Sequence, residues 1–249
     1  MDSLLENKTI LVTGGSGKFG RAICEIAARE GAKVAFTWNS DSDSAKETEK
    51  VIQGLGCESL SIQADLSNKS ESRKIVELIE NKWGHLYALV NNAAISESVP
   101  FVLISDEDIE EVMEVNFFSP FRLSREAVRS MVRAKKGRIV NISSITGSRS
   151  IPGPVHYASS KGALEAMTKS LAHEVGPYGV LVNAIAAGIF EAGLDKTIPG
   201  HHRQRYLDSC SLSRFGTPSE CAELVVWLLS EKNTYINGTV IYQEGGTLS

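Results

Sequence analysis

The chain lacks any long apolar run. Its best candidate, Val180 to Phe190, is interrupted by Asn183 and Gly188, so no stretch is long enough to cross a bilayer. Cysteine is scarce, with four in 249 residues: Cys24, Cys57, Cys210 and Cys221. They form no C-x-x-C pair and no metal-ligand spacing. Reduced, structural thiols in a cytoplasmic protein are the expectation. An excess of one charge is lacking too. A formal net charge of −4 gives no reason to expect nucleic acid as the main partner. There is no internal repeat and no low-complexity linker, and the polar stretch 39–44 is too short to separate domains. Met1 to Lys8 is short, polar and mixed in charge, unlike a secretory leader. What is present is ordinary: 42% hydrophobic and 22% charged residues, as in a soluble protein. The expectation is one domain over residues 1–249 with a substantial core.

Short apolar runs alternate with longer amphipathic ones. Strands are expected at 9–12, 33–37, 59–63, 86–90, 138–142, 180–184 and 239–242. Helical patterns lie near 18–30, 43–54, 69–83, 106–134, 155–175 and 218–230. Such alternation argues for an α/β fold, a parallel sheet with helices on both faces. Several strands are apolar almost throughout, as expected when both faces are covered. Right-handed crossovers make the sheet doubly wound. Ligands then bind beyond the carboxyl ends of the strands, so chemistry is to be sought where each strand stops.

The first strand runs into "TGGSGKFG", Thr13 to Gly20, and a helix follows. The helix N-terminus offers unpaired N–H groups and a partial positive charge to a phosphate. Glycines allow a tight turn and a close approach. A triphosphate loop is excluded by spacing, because Val12 and Phe19 stand where glycine and Ser or Thr are needed. A dinucleotide loop remains, Gly15, Gly17 and Gly20 spelling G-x-G-x-x-G; alone, that pattern fits a plain tight turn as well.

Further on, "YASSK" places Tyr157 and Lys161 at i and i+4 on a helix, hence on one face. A phenol is a poor acid or base near neutral pH, and a nearby ammonium lowers its pKa. Tyr157 then becomes a usable proton donor or acceptor for an alcohol/carbonyl pair. A surface tyrosine beside a solvated lysine is the bland alternative. The strand "GRIVNIS" ends at Ser143 and Ser144, whose hydroxyls suit a substrate carbonyl or a local cap.

The TGG loop, "VNNAA" at 90–94, "VNFFSPF" at 115–121, "NISS" at 141–144, "YASSK" and "IYQEGG" at 241–246 together resemble the short-chain dehydrogenase/reductases over nearly the whole chain. Among these the chain is most similar to 3-oxoacyl-ACP reductases and related ketoreductases. The resemblance implies a seven-stranded Rossmann fold and a catalytic tetrad of Asn116, Ser144, Tyr157 and Lys161. Ser144 rather than Ser143 is selected because the family's serine lies thirteen residues before the tyrosine. By resemblance Tyr157 is the general acid, and Lys161 lowers its pKa and holds the nicotinamide ribose. Asn116 holds the water that links Lys161 to solvent. Hydride leaves the nicotinamide for a carbonyl gripped by Ser144 and Tyr157, bonds that strengthen as charge builds on oxygen. Asn91 resembles the residue that steadies the sheet and the adenosine side, and Asp65 the one that meets the adenine amino group. The cofactor contacts implied are Gly14, Ser16, Gly17, Lys18, Phe19 and Gly20 from the first loop, and Trp38, Asn39 and Ser40 after strand two. Asp65 and Leu66, Asn92, Ala93 and Ala94, Tyr157 and Lys161, and Gly188 and Ile189 complete them.

The chain departs from the family at several points. Lys18 stands where the shorter branch keeps a glycine, either over the phosphates or as a solvated side chain. Ala94, Ala187 and Ala192 replace a glycine, a proline and a cofactor-gripping threonine. At the end of strand two, NAD-dependent members carry an acid that binds the ribose 2′-OH; here Trp38 stands there. NADP(H) is therefore favoured over NAD(H), with Lys18, Asn39 and Ser40 as phosphate partners, although no Arg follows and Asp41 and Asp43 lie close by.

The substrate pocket is expected between 95–99, 148–156 and 190–208, under a lid of about 190–215 bent at Pro199-Gly200. His156 either touches substrate or is a loop histidine without a role. His201 and His202 have no accompanying carboxylate or cysteine cluster, so no metal is expected. Arg125, Arg129, Arg133, Lys135, Lys136 and Arg138 form a basic run. In carrier-protein reductases a basic patch near this helix end meets the acidic carrier, although Tyr178 replaces another of their basic positions; a solvated face is the plain alternative. The expected substrate is a small-molecule or carrier-bound carbonyl, best a 3-oxoacyl thioester. Apolar stripes on 106–134 and 155–175 and the resemblance imply a homotetramer, without membrane or nucleic-acid partners. Two alternatives remain: a dehydrogenase of a sterol, sugar or other secondary alcohol, and a non-catalytic nucleotide-sensing scaffold.

Overall fold

Seven short, apolar-rich segments of four to eight residues each become a strand. They are β1 (Thr9–Val12), β2 (Lys33–Trp38), β3 (Ser59–Gln63), β4 (Ala88–Asn91), β5 (Gly137–Ser144), β6 (Val180–Ala187) and β7 (Val240–Gln243). The structure, a computed structural model, describes residues 3–149, 153–191, 198 and 200–247. The strands lie in the order β3-β2-β1-β4-β5-β6-β7, every neighbouring pair parallel. This is the doubly wound, seven-stranded sheet that the alternation implies.

Side chains alternate across a strand. Ile10 and Val12 of β1 enter one core with Ile23 and Ala27 of α1 (Lys18–Arg29) and Val225 of α8 (Pro218–Leu229). Leu11 enters the opposite core with Ile75 of α3 (Glu71–Trp83) and Leu123 of α5 (Ser119–Ala134). That second core continues to Ala172 and Val175 of α6 (Val155–Val175). Both faces are thus dry, which is why the strands carry few polar residues. Beside β2, α2 (Ser42–Gly54) starts on an Asp41 side chain that accepts from Ser44 N–H.

Two boundaries differ from expectation in ways that matter. First, β5 and β6 extend past their apolar runs, pairing Ser143 with Ala186 and Ser144 with Ala187. The small residues of β6 let two serines continue a buried strand. Second, the helix expected over 106–134 is broken. It divides into α4 (Asp106–Met113), a π-turn (Glu114–Phe118) and α5. Ser119 N–H reaches back to the Glu114 carbonyl, five residues away. Pro120 has no N–H to donate to the Asn116 carbonyl, so a regular α-helix would be incomplete here.

A further helix, α7 (Gly200–Ser209), stands in the segment expected as a lid. Gly200 opens it, whereas Ala192 and Pro199 lie outside the described residues, as does part of the expected 148–156 wall. No helix among the described residues is long and apolar enough to cross a membrane.

The basic run is not an open cationic patch. Glu126 binds Arg125 at 3.4 Å and Arg129 at 2.7 Å. Glu80 binds Arg133 at 2.5 Å and Glu231 binds Lys136 at 2.7 Å. Arg138 is buried against the carbonyls of Gly137 and Asn233. Most of these charges are answered within the chain, which weakens the run as a carrier-docking surface.

Candidate active site

β1 and β4 are neighbours, yet the chain winds outward from them in opposite directions. The crevice beyond such a switch point is where open α/β sheets bind ligands. A cavity of about 1170 Å3 opens there. That exceeds the several hundred Å3 typical of a single small ligand and gives room for a dinucleotide and a second molecule.

Its floor is the glycine loop. Gly14 has φ +66°, a conformation that side chains disfavour. A Cβ on Gly20 would overlap the Gly14 carbonyl oxygen. These two glycines serve the chain's own packing. Gly17 does not: a Cβ there would meet only Gly14 O, at 3.5 Å. Its bare backbone faces the cavity at a helix start without a side-chain cap. The first-turn N–H groups of α1 are therefore free of capping side chains, and a pyrophosphate fits. Lys18 is exposed and is the first residue of α1, on the cavity wall.

The loop is bolted to the end of β4. Thr13 Oγ1 accepts from the N–H groups of Asn92 and Ala93, both at 2.9 Å. Asn92 Nδ2 donates to Thr13 O at 2.8 Å. Ser16, Phe19, Asn39, Ser40, Leu66, Ala94, Gly188 and Ile189 also line the cavity. Trp38 is fixed by its indole N–H, which donates to Ser61 Oγ at 2.9 Å. The Asp65 carboxylate, on the cavity wall, accepts from Ser67 N and Oγ at 2.9 and 2.7 Å. Asn91 is different. It is buried and donates to Asn141 Oδ1 at 2.7 Å and Ser124 Oγ at 3.0 Å. It steadies the sheet from behind and is not part of the cavity wall.

At the other end, Ser144, Tyr157 and Lys161 share one wall. Ser144 hydrogen-bonds the Tyr157 hydroxyl, but burial outweighs that bond and pushes the phenol up to about 12. Burial, rather than a neighbouring charge, is the largest influence on this phenol. Lys161 Nζ lies 5.6 Å from the centre of the Tyr157 ring and donates to Ile142 O at 2.8 Å. Desolvation of this buried ammonium pulls it down to about 8, against a raising effect of the Glu165 charge.

Asn116 sits in the π-turn, fully buried behind the wall. Its Oδ1 accepts from Ile95 N at 2.9 Å, and its Nδ2 donates to Ile95 O at 2.9 Å and Ser160 Oγ at 3.1 Å. The side-chain amide is thus spent on positioning, so any bound water is left to its backbone. Of the two readings of His156, substrate contact finds no support: it lies in α6 rather than a loop, is buried and off the cavity wall, and neither ring nitrogen has a hydrogen-bond partner. His202, Arg205 and Tyr206 of α7, inside the expected 190–208 boundary, and Glu111 of α4, outside every expected boundary, also stand on the wall. A polar helix of ten residues with weak apolar periodicity gives little signal.

A dinucleotide cradle facing a Ser–Tyr–Lys cluster across one cavity defines a nicotinamide-dependent oxidoreductase. Comparison with known proteins agrees. The family model described as enoyl-(acyl carrier protein) reductase matches residues 17–247. The 3-oxoacyl-(acyl-carrier-protein) reductase FabG of Aquifex aeolicus is 37% identical over 99% of both chains, and that of Vibrio cholerae 34% over 97% of this chain and 98% of its own. A short-chain dehydrogenase of Burkholderia cenocepacia, solved with NADP, superposes with a TM-score of 0.91 at 30% identity, covering 98% of each chain. A dehydrogenase/reductase of Sinorhizobium meliloti gives 0.93 at 31%, covering 100% of this chain and 98% of the other. The chain belongs to the short-chain dehydrogenase/reductase family, as a 3-oxoacyl-ACP-reductase-like ketoreductase. The non-catalytic scaffold is set aside.

Proposed function

We propose that the protein is a cytoplasmic homotetramer that reduces a 3-oxoacyl thioester, carried by a carrier protein or a small mimic, with NADPH. The observation that carries this reading is the single cavity joining the bare backbone of Gly17 to the Ser144–Tyr157 pair. The curated relatives' printed activity supports the substrate class.

When bound, the nicotinamide supplies hydride to the carbonyl carbon. Tyr157 delivers the proton to the carbonyl oxygen, and its raised pKa keeps that proton in place until charge develops. Ser144 donates a second hydrogen bond to the same oxygen. Such a donor is worth about 100- to 1000-fold in rate when charge builds opposite it. Lys161 supports the tyrosine and, with Asn116 behind it, the path by which the phenolate is reprotonated.

NADPH preference rests on Trp38, which stands where an acid would exclude a 2′-phosphate. The nearby acids are otherwise engaged: Asp41 caps α2 through Ser44 N–H at 2.9 Å, and Asp43 pairs with Lys46 at 2.9 Å. Arg21 is held by Thr48, the Ser44 carbonyl and Glu47. Lys18 is then the cation on that end of the cavity wall. Self-association is supported by half-exposed apolar side chains on α4, the π-turn, α5 and α6, namely Ile109, Phe118, Phe121 and Val155.

A panel of carbonyl substrates with NADPH and NADH tests the reading. Turnover of acetoacetyl thioesters with NADPH is expected; activity confined to simple ketones or sugars rejects the substrate class. Crotonyl thioester belongs in the panel because the matching family model is described as an enoyl reductase.

A further inference from the structure

Glu165 follows Lys161 by one helical turn, as Lys161 follows Tyr157, so the three stand in line on one face of α6. Among the described residues Glu165 is the one acid in the buried class, 3% exposed. It accepts from Ser143 Oγ at 2.7 Å. The preceding residue of β5, Ile142, takes Lys161 Nζ on its carbonyl at 2.8 Å. Two consecutive residues of one strand thus hold a buried ammonium and a buried carboxylate side by side without joining them in a direct ion pair.

A bolt between α6 and β5 needs no charge, because glutamine would bind Ser143 equally well. Burying a carboxylate with a single hydroxyl partner is costly unless a cation shares the site. The buried cation is Lys161. We propose that Glu165 is a positioning residue for the reaction: its fixed negative charge keeps Lys161 protonated beneath Tyr157. This rests on the roles given to Tyr157 and Lys161 above.

The surrounding charges single Glu165 out. On β5, Arg138 is held by Gly137 O and Asn233 O at the far end of the strand. On α4, Asp108 faces His156, Glu111 lines the cavity, and Asp106, Glu107 and Glu110 are exposed. Glu114 of the π-turn is bound by Arg122 of α5. Arg125, Glu126, Arg129 and Arg133 of α5 are occupied in the pairs described above. β6 and the turn 145–147 carry no charged residue, and the turn 176–178 brings only the exposed Tyr178. On α6 itself, Tyr157 is neutral and His156 faces α4. Burial depresses the Lys161 ammonium, and the one charge that opposes this is Glu165.

The test is E165Q, which keeps the shape and the Ser143 contact but removes the charge. In the wild type, kcat/KM for reduction is expected to fall above about pH 8, since this profile reports the free enzyme. In E165Q that limb moves down by about one unit, a tenfold loss at the alkaline end. E165D, which retains the charge, moves the limb back toward the wild-type position. Lys161 is also titrated directly by NMR in protein with ε-carbon-labelled lysine, its signal assigned by its loss in K161R. A lower midpoint in E165Q is expected. If E165Q does not fold, E165L, apolar and of similar volume, is the second charge-free variant. Unchanged Lys161 midpoints in the charge-free variant, or a loss of thermal stability with no shift of the limb, overturns the proposal. The NMR titration decides the coupling even if Y157F stays active, in which case the tyrosine's assignment falls and not the coupling.

Discussion

Tyr157 is the proposed proton donor, and its environment runs against a simple reading of Y-x-x-x-K. The spacing shows that tyrosine and lysine share a face. It does not show that burial dominates the phenol, raising it to about 12. Y157F is expected to lower kcat/KM by about 100- to 10,000-fold, the range for losing a general acid, with NADPH affinity by fluorescence changed far less. Loss of both together would point to a collapsed site. Lys161 gives a separate stability signature. Its folded value of about 8 lies below its ordinary 10.5, so between these values the unfolded chain binds more protons. This group's contribution to stability therefore rises with pH across that window. K161M, which lacks the buried charge, should exceed the wild type in stability at pH 7, with a margin that shrinks toward pH 10 in urea denaturation. A constant margin would contradict the sign. At the opposite end of the cavity, K18Q should reduce kcat/KM for NADPH by about tenfold and leave NADH nearly unchanged, as losing one charge-assisted bond implies. Equal losses with both cofactors would remove Lys18 from the 2′-phosphate.

Among elements, strand ends were legible where the apolar run and the strand coincide, as at β1 and β3. They were not where small residues prolong the strand, as at Ser143 and Ser144 beside Ala186 and Ala187. The π-turn had a signal that apolar periodicity hides: Pro120 within an otherwise helical pattern, four residues after Asn116. Glu165 had none, because a glutamate at helical spacing reads as a surface charge until α6 is laid on β5. His156 is the converse, a residue beside the tyrosine in sequence that the helix turns away from the cavity. A capping box starts α8. Thr217 accepts from Glu220 N–H, and Glu220 answers the Thr217 N–H at 2.8 Å. T217A is expected to cost about 1 kcal/mol, read as a lower urea midpoint with an unchanged m-value, and to leave activity intact. An unchanged midpoint would show that packing against α1 alone holds this helix.

At the scale of the molecule, alternation of elements implied the winding, and the winding dictates where the cavity lies. Charge pairing across elements was not legible, since Glu80 and Glu231 are far in sequence from Arg133 and Lys136, which they neutralise. Oligomeric state follows from surfaces rather than from the cavity. With Phe118 and Phe121 44% and 47% exposed, the F118E/F121E double variant should give a smaller particle by light scattering than the wild type, which a tetramer requires to be about four chains in mass. A monomeric wild type would refute the interface. The claim that joins all three scales is that one cavity holds NADPH and presents a 3-oxoacyl carbonyl to Tyr157. Its most direct test is NADPH oxidation with acetoacetyl thioester by the wild type and by Y157F. The account predicts turnover in the wild type and its near-complete loss in the variant. No turnover of this substrate by the wild type, or equal turnover by both proteins, would contradict it.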